Sequence, residues 1–180
     1  MGTSRPLHVL LVHVWYWPHV GGGDQHVEQI GRELVRRGHR VTVWCADVPT
    51  HEERRFNRGG VDVVRIRPSM LLGGVDPLVS VSDLDLSDVD VVHLHDTLPV
   101  LIRRTLSKAK KAGKPVVTTY HNDYVKKTSL GRAIKRVRWA LQGRRTMHSS
   151  DAGIVLTPFF EQLLRAKGVR GHLDVIPNGF

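Results

Sequence analysis

Apolar positions along the chain fall into two alternating patterns. From His8 to Trp15 they are nearly continuous, as in a parallel strand buried on both faces. A loop from Tyr16 to Gly23 follows. Asp24 to Arg37 then carries Val27, Ile30, Gly31 and Leu34 on one helical face, with Gly38 as the stop. Short β-rich runs recur at 40–45, 61–67, 89–94, 115–120, 152–156 and 173–176. Helical periodicity recurs at 99–111, 129–145 and 158–167, and Gly113 and Gly168 end two of those segments. From Pro68 to Asp88 neither period dominates, which predicts irregular chain with a turn or a short helix. In the segment 129–145, Leu130, Ile134, Val137 and Leu141 share one narrow face, which is expected to bury against the sheet. That orientation turns Trp139 outward among Arg132, Lys135 and Arg136. Strands separated by helices of these lengths make βαβ units. The predicted fold is therefore α/β, a Rossmann-like doubly wound parallel sheet.

Length and composition narrow the picture. The 180 residues, 41% of them hydrophobic, suit one domain with an adequate core. No apolar run approaches the roughly 20 residues that cross a bilayer. The opening Met1–Pro6 lacks a signal peptide's apolar stretch, and Pro6 stands where a myristoylation motif needs Ser or Thr. The one cysteine, Cys45, forms no internal disulfide, so a cytoplasmic location is expected. The net charge of +10 is uneven: between Thr97 and Ser150 fourteen Lys and Arg face one acid, Asp123, which makes that segment +13 and the remainder −3. Such a region suits anionic lipid headgroups or a phosphorylated substrate. Nucleic acid is not expected, because the aromatic-and-basic strand signature of an RNA-binding sheet is missing.

Ligands of open parallel sheets bind beyond the carboxyl ends of the strands. The first strand leads to Gly21, Gly22 and Gly23 just before a helix, where free N–H groups and the helix dipole suit a phosphate. Neither G-x-G-x-x-G nor G-K-[ST] is present. Two other strand ends carry His93-Leu94-His95-Asp96 and Tyr120-His121-Asn122-Asp123. His93 and His95 are an i, i+2 pair without a cysteine, so hydrogen bonding or action on substrate is expected in place of a metal. There is no G-x-S-x-G elbow to mark a serine hydrolase of that type.

These motifs together resemble retaining glycosyltransferases of family 4. The opening Tyr16-Trp-Pro-His-Val-Gly-Gly-Gly-Asp-Gln-His-Val27 with Leu34–Val41, then Asp90–His95, Val116–His121 and Val175–Gly179, match in order over nearly the whole chain. The resemblance implies one half of a GT-B architecture. Residues 1–176 would form the N-terminal, acceptor-binding domain, and 177–180 would begin the linker to a C-terminal donor-binding domain. The pair of glutamates that holds the donor in such enzymes belongs to that second domain, so this chain alone is expected to be inactive. By the same resemblance Gly21 and Gly22 approach the donor diphosphate and acceptor, and Asp24 lies near the acceptor in place of the usual Glu or Gln. His121 is the histidine near the donor sugar and the one catalytic candidate. Asn122 replaces the usual glycine after it and tolerates the same left-handed turn. Gly23, His95, Asp96 and Asp123 complete the candidate substrate-binding residues. Arg132, Lys135, Arg136 and Trp139 are candidates for a membrane or anionic acceptor, since such enzymes often act on lipid-linked acceptors. The implied substrate is a nucleotide sugar, with no metal or further cofactor, and the enzyme would sit peripherally on the cytoplasmic face of a membrane. In the front-face mechanism attributed to the family, the leaving phosphate helps deprotonate the acceptor hydroxyl, so the protein positions and stabilises charge without a nucleophile. Alternative readings are a GT-B sugar-nucleotide epimerase or phosphorylase half, or a non-enzymatic basic α/β module for anionic lipid or nucleic acid.

Overall fold

Strands that are apolar on both faces need helices on both sides, and the chain supplies them in alternation. A computed structural model describes residues 5–73, 76–121 and 129–178, apart from the side chains of Leu130 and Lys135. In chain order the elements are β1 (His8–Val12), α1 (Gly22–Arg36), β2 (Arg40–Ala46), β3 (Arg55–Arg58), β4 (Val61–Ile66), β5 (Pro68–Leu72), β6 (Asp76–Val79) and β7 (Val91–His95). They continue as α2 (Val100–Lys111), β8 (Val116–Tyr120), α3 (Ser129–Arg138), a π-helical turn (Trp139–Gly143), α4 (Arg144–Ser149), β9 (Ala152–Val155), α5 (Pro158–Ala166) and β10 (Leu173–Val175).

Eight strands form one sheet in the order β10-β9-β8-β7-β1-β2-β4-β3. All neighbours are parallel except β3, an antiparallel edge strand on β4. β1 is central, with Leu10 opposite Thr42 on one side and Val92 on the other. The strand period sends alternate residues to opposite layers. Leu10, Val12, Val92 and Leu94 pack with Leu101, Ile102 and Leu106 of α2. Val9, Leu11, Val41 and Val43 pack with Val27 of α1. At Gly31 a Cβ would come within 3.1 Å of Val61 Cγ2, so the missing side chain is what lets α1 lie this close to the sheet. The doubly wound sheet is the expected one.

Two expectations fail, both for tertiary reasons. The stretch 68–88 contains an antiparallel hairpin, β5 with β6, in place of irregular chain or a helix. Pro68, Pro77 and Gly73, the last at a φ of 57°, oppose a helix there. The hairpin is held from outside: Val79 is fully buried, and Asp76 Oδ1 accepts the Val100 N–H at 3.1 Å. Asp76 thereby caps α2, whose own N-cap, Pro99, offers no side-chain bond.

The second failure is the orientation of α3. Ile134, Val137 and Leu141 are 53%, 56% and 68% exposed, whereas Trp139 is only 9% exposed. The helical period did place Trp139 opposite the aliphatic stripe; what is inverted is which face lies inside. Trp139 meets Tyr120 edge to face at 5.7 Å and joins Met147, Val155, Leu164, Val169 and Leu173 in a third core cluster. A Cβ on Gly143 would overlap the Trp139 ring, so this glycine makes room for the indole. Next to it Arg138 Nη2 donates to Asp76 Oδ2 at 2.8 Å, tying α3 to the hairpin. One indole buries more surface than any residue of the stripe, and the cluster around Tyr120 and Phe160 receives it.

Replacing Trp139 by Ala should therefore cost about 3–5 kcal/mol of stability, as for a large core side chain. Val137→Ser, at an exposed site, should change it by less than about 0.5 kcal/mol. Urea denaturation of the two variants separates a buried Trp139 from an exposed one.

Candidate active site at the carboxyl edge of the sheet

The chain leaves β1 and β7 in opposite directions along the sheet, which opens a crevice beyond their carboxyl ends. Histidines enter it from four elements. His13 follows β1, His26 lies in the second turn of α1, His95 ends β7 and His121 follows β8.

His13 is the crosspiece. Its Nδ1 donates to the His95 carbonyl at 2.9 Å, and its Nε2 lies 3.1 Å from Asp24 Oδ1. A carbonyl only accepts, so Nδ1 carries a proton. Nε2 then faces the Asp24 carboxylate. His19 Nδ1 bonds the other oxygen of Asp24. Burial opposes ionisation of Asp24, but the hydrogen bonds from His13 and His19 outweigh it and hold the carboxyl below its ordinary range. Both oxygens are thus engaged inside the protein, so Asp24 positions the two rings.

The glycines divide by role. A Cβ on Gly23 would stand 2.8 Å from His13 Nε2, so Gly23 admits the His13–Asp24 pair. A Cβ on Gly21 would come 3.1 Å from Asp24 Oδ2. Gly22 is exposed and meets nothing within 4 Å. α1 has no side-chain cap at its N-terminus, so its first N–H groups and positive dipole end face the crevice mouth beside Gly22.

Deeper in, His95 is fully buried and its Nδ1 lies 3.2 Å from His121 Nε2. His93 Nε2 lies 2.8 Å from Thr119 Oγ1, and the His26 ring sits 5.0 Å from that of His121. Burial first, then repulsion among neighbouring imidazoles, disfavours protonation here. It pushes His93 down to about 4 and His121 to about 3, and holds His95 and His26 below the ordinary histidine value. These four rings are neutral at pH 7, in the form that hydrogen-bonds to hydroxyls or ligates metals. One nitrogen each of His26, His95 and His121 lies within 4.8 Å of the others, and these residues could hold a divalent cation after closing up. A tetrahedral zinc with nitrogens at about 2.0–2.1 Å needs them roughly 3.3 Å apart.

The crevice thus unites Gly21, Gly22, Gly23, Asp24, His95 and His121. Asp96 stands at its rim with a φ of 120°, where an L-residue is strained, and its carboxylate accepts the Thr97 N–H of its own turn. Asn122 and Asp123 lie outside the described residues. Arg132 and Arg136 are exposed on α3, and the Lys135 side chain is not among those described. Trp139, expected at an exposed membrane or acceptor surface, belongs to the core instead. Reading by sequence missed His13, His19 and His26. His13 was absorbed into an apolar strand run; its place at the end of the central strand was the available signal. A separate concavity of roughly 600 Å³, lined by Leu10, Thr42, Trp44 and Asp88, opens on the sheet beside β2 and includes none of these residues.

Residues 20–180 match the model for Glycosyltransferase Family 4. The chain belongs to that family. It is also similar to a phosphatidylinositol N-acetylglucosaminyltransferase subunit of Arabidopsis thaliana, 29% identical over 132 residues, which cover 69% of this chain and 29% of that protein. The Homo sapiens protein of the same name is 21% identical over 126 residues, 66% of this chain and 26% of that protein. The chain therefore spans under a third of the length of these relatives. Among solved structures, sucrose-phosphate synthase from Thermosynechococcus elongatus superposes with a TM-score of 0.62 at 14% identity, covering 96% of this chain and 89% of that one. The superposition shows that the Rossmann-like sheet is shared with that structure.

Two outcomes follow from this geometry. Gly23→Ala should destabilise the fold by about 1–3 kcal/mol, because His13 must leave Asp24. Gly22→Ala should be neutral or stabilising by roughly 0.4–1 kcal/mol, and thermal melts compare the two. Stability should also fall with acidification. The folded-state values of His93 and His121 lie below the unfolded value near 6.5, so between about pH 6.5 and 4 only the unfolded chain takes up these protons. Each such histidine contributes a slope on the order of 1 kcal/mol per pH unit. A melting temperature that stays flat from pH 7 to 5 contradicts this.

Proposed function

We propose that the chain forms residues 1–176 of a retaining glycosyltransferase that moves a sugar from a nucleotide-sugar donor to a hydroxyl of a lipid-linked acceptor. Residues 177–180 would lead into the donor-binding domain. The observation that carries this reading is the convergence of His95, His121 and the uncapped start of α1 on one crevice, in a chain of this family. The lipid-linked acceptor is suggested by the names of the two relatives, which concern those proteins.

In this reading the N–H groups at Gly22 and Gly23 and the positive end of α1 face the donor diphosphate. The leaving phosphate takes the acceptor proton from the same face, so no side chain need act as nucleophile. His121, kept neutral by burial, orients sugar and acceptor hydroxyls by hydrogen bonds, and His95 holds the His121 ring. The His13–Asp24 pair keeps the loop before α1 in place. No resident metal is required for these roles.

The test joins the chain to a donor-binding domain and follows sugar transfer to an acceptor lipid. The product should keep the donor's anomeric configuration, and the chain alone should give no turnover. His121→Ala should lower kcat by roughly tenfold to a hundredfold, the worth of a hydrogen bond made chiefly in the transition state, with nucleotide affinity little changed. Turnover by the chain alone, inverted product, or full activity of a folded His121→Ala enzyme would each refute part of the scheme.

A further inference from the structure

Three histidines from three separate elements meet in the crevice. His26 rises from the second turn of α1, His95 ends β7, and His121 follows β8, the strand paired with β7. One nitrogen of each ring lies within 4.8 Å of the others. His95 Nδ1 and His121 Nε2 are already 3.2 Å apart, close to the roughly 3.3 Å between two nitrogens on a tetrahedral zinc. The His26 ring stands 5.0 Å from that of His121 and 5.6 Å from that of His95. His95 is fully buried, and its Nε2 has no hydrogen-bond partner among the described residues. A buried polar atom left in that state is uncommon in a folded protein. The ring retains coordinating capacity that its protein neighbours do not use.

We propose that His26, His95 and His121 form a three-nitrogen site for a zinc ion or a similar borderline divalent cation, with the fourth position left to water. Imidazole nitrogens suit zinc, copper and nickel, whereas magnesium and calcium prefer oxygen ligands. Structural zinc sites close four protein ligands, so three histidines make an open, exchangeable site. Burial keeps all three rings in the neutral form that ligates a metal. Asp24 adds a negative charge whose field reaches His121. Its oxygens are taken by His13 and His19, so it attracts the cation without joining the ligand set. The paired ends of β7 and β8 fix the backbones at His95 and beside His121. His26 is only half-buried on a helix, so its side chain supplies the adjustment that closes the site. The ion has no part in the proposed transfer. It occupies a nitrogen of His121, so bound zinc and substrate should exclude each other; that consequence alone rests on the transferase reading.

Metal titration of the 180-residue chain, produced without a histidine tag, tests the site. A single zinc ion should bind per chain at micromolar protein. Cobalt(II) in its place should show the intense visible absorption of a four-coordinate ion, in contrast to the weak band of a six-coordinate one. Nitrogen-15 NMR of the imidazoles should shift one nitrogen each of His26, His95 and His121, and leave the exposed His172 unchanged. His26→Gln removes one ligand and should lower zinc affinity by at least about tenfold, since even outer-shell partners of a metal site are worth that much. His172→Gln should leave the affinity as it is. Circular dichroism of both variants should match the parent.

A parent chain that binds no zinc at micromolar concentration overturns the inference. So does full-strength binding by His26→Gln, which would place the ion elsewhere, at His13 and His19 beside Asp24 or at exposed histidines. A six-coordinate cobalt spectrum, or NMR shifts confined to other histidines, overturns it as well. The NMR of the parent decides the case if His26→Gln misfolds. In the enzyme joined to a donor-binding domain, zinc should inhibit sugar transfer and a chelator should restore it. Zinc held by these rings with transfer unimpaired would defeat the role given to His121 and leave the site standing. Zinc binding by the chain without any sugar transfer by the metal-free joined enzyme would defeat the transferase reading alone.

Discussion

The hydrogen bond from His13 to the His95 carbonyl joins the two halves of the sheet where their connections diverge. Everything in the crevice is placed relative to it. It requires a proton on Nδ1, which leaves Nε2 to face Asp24, and Asp24 in turn gathers His19. The pair fits only because position 23 has no side chain. The start of α1, the loop before it and the carboxyl end of β7 are thus set by one ring and its two partners. A parallel sheet provides the crevice in any case; the His13 contacts decide its floor.

The remaining histidines make the opposite electrostatic choice. His93, His95 and His121 lie where burial disfavours charge, next to the Asp24 carboxylate, whose two oxygens are both bonded. A buried ion is tolerated when hydrogen bonds replace water, and a buried imidazole is tolerated by staying neutral. The crevice therefore offers neutral donors and acceptors deep inside and a positive helix end at its mouth. That combination suits sugar hydroxyls beside a diphosphate.

The third structural theme is the helix beyond β8. A tryptophan, a glycine that leaves room for it and a π-helical turn commit one face of this segment to the core. The Asp76 carboxylate ties the same segment to the β5–β6 hairpin and to the start of α2. The aliphatic stripe is left outside as a consequence. The basic charge of the chain is concentrated along this same segment.

Much of this was legible in the residues. Near-continuous runs such as His8–Trp15 and Val116–Tyr120 could only be strands buried on both sides, and Gly38, Gly113 and Gly168 marked helix ends. The period-2 and period-3.6 patterns are local, so they specify elements, their order and hence the doubly wound sheet. His95, His121 and the glycines could be named because strand ends and helix starts are local features too. His13, His19 and His26 could not be ranked, since their importance lies in contacts across the strand switch. The hairpin at 68–79 escaped because its support comes from α2, twenty or more residues away. Most telling is α3. Its sequence determined that Trp139 and the Ile134–Val137–Leu141 stripe lie on opposite faces, because helical geometry does that alone. Which face turned inward depended on Tyr120, Leu164 and Leu173, distant residues that only the folded chain brings together to receive an indole.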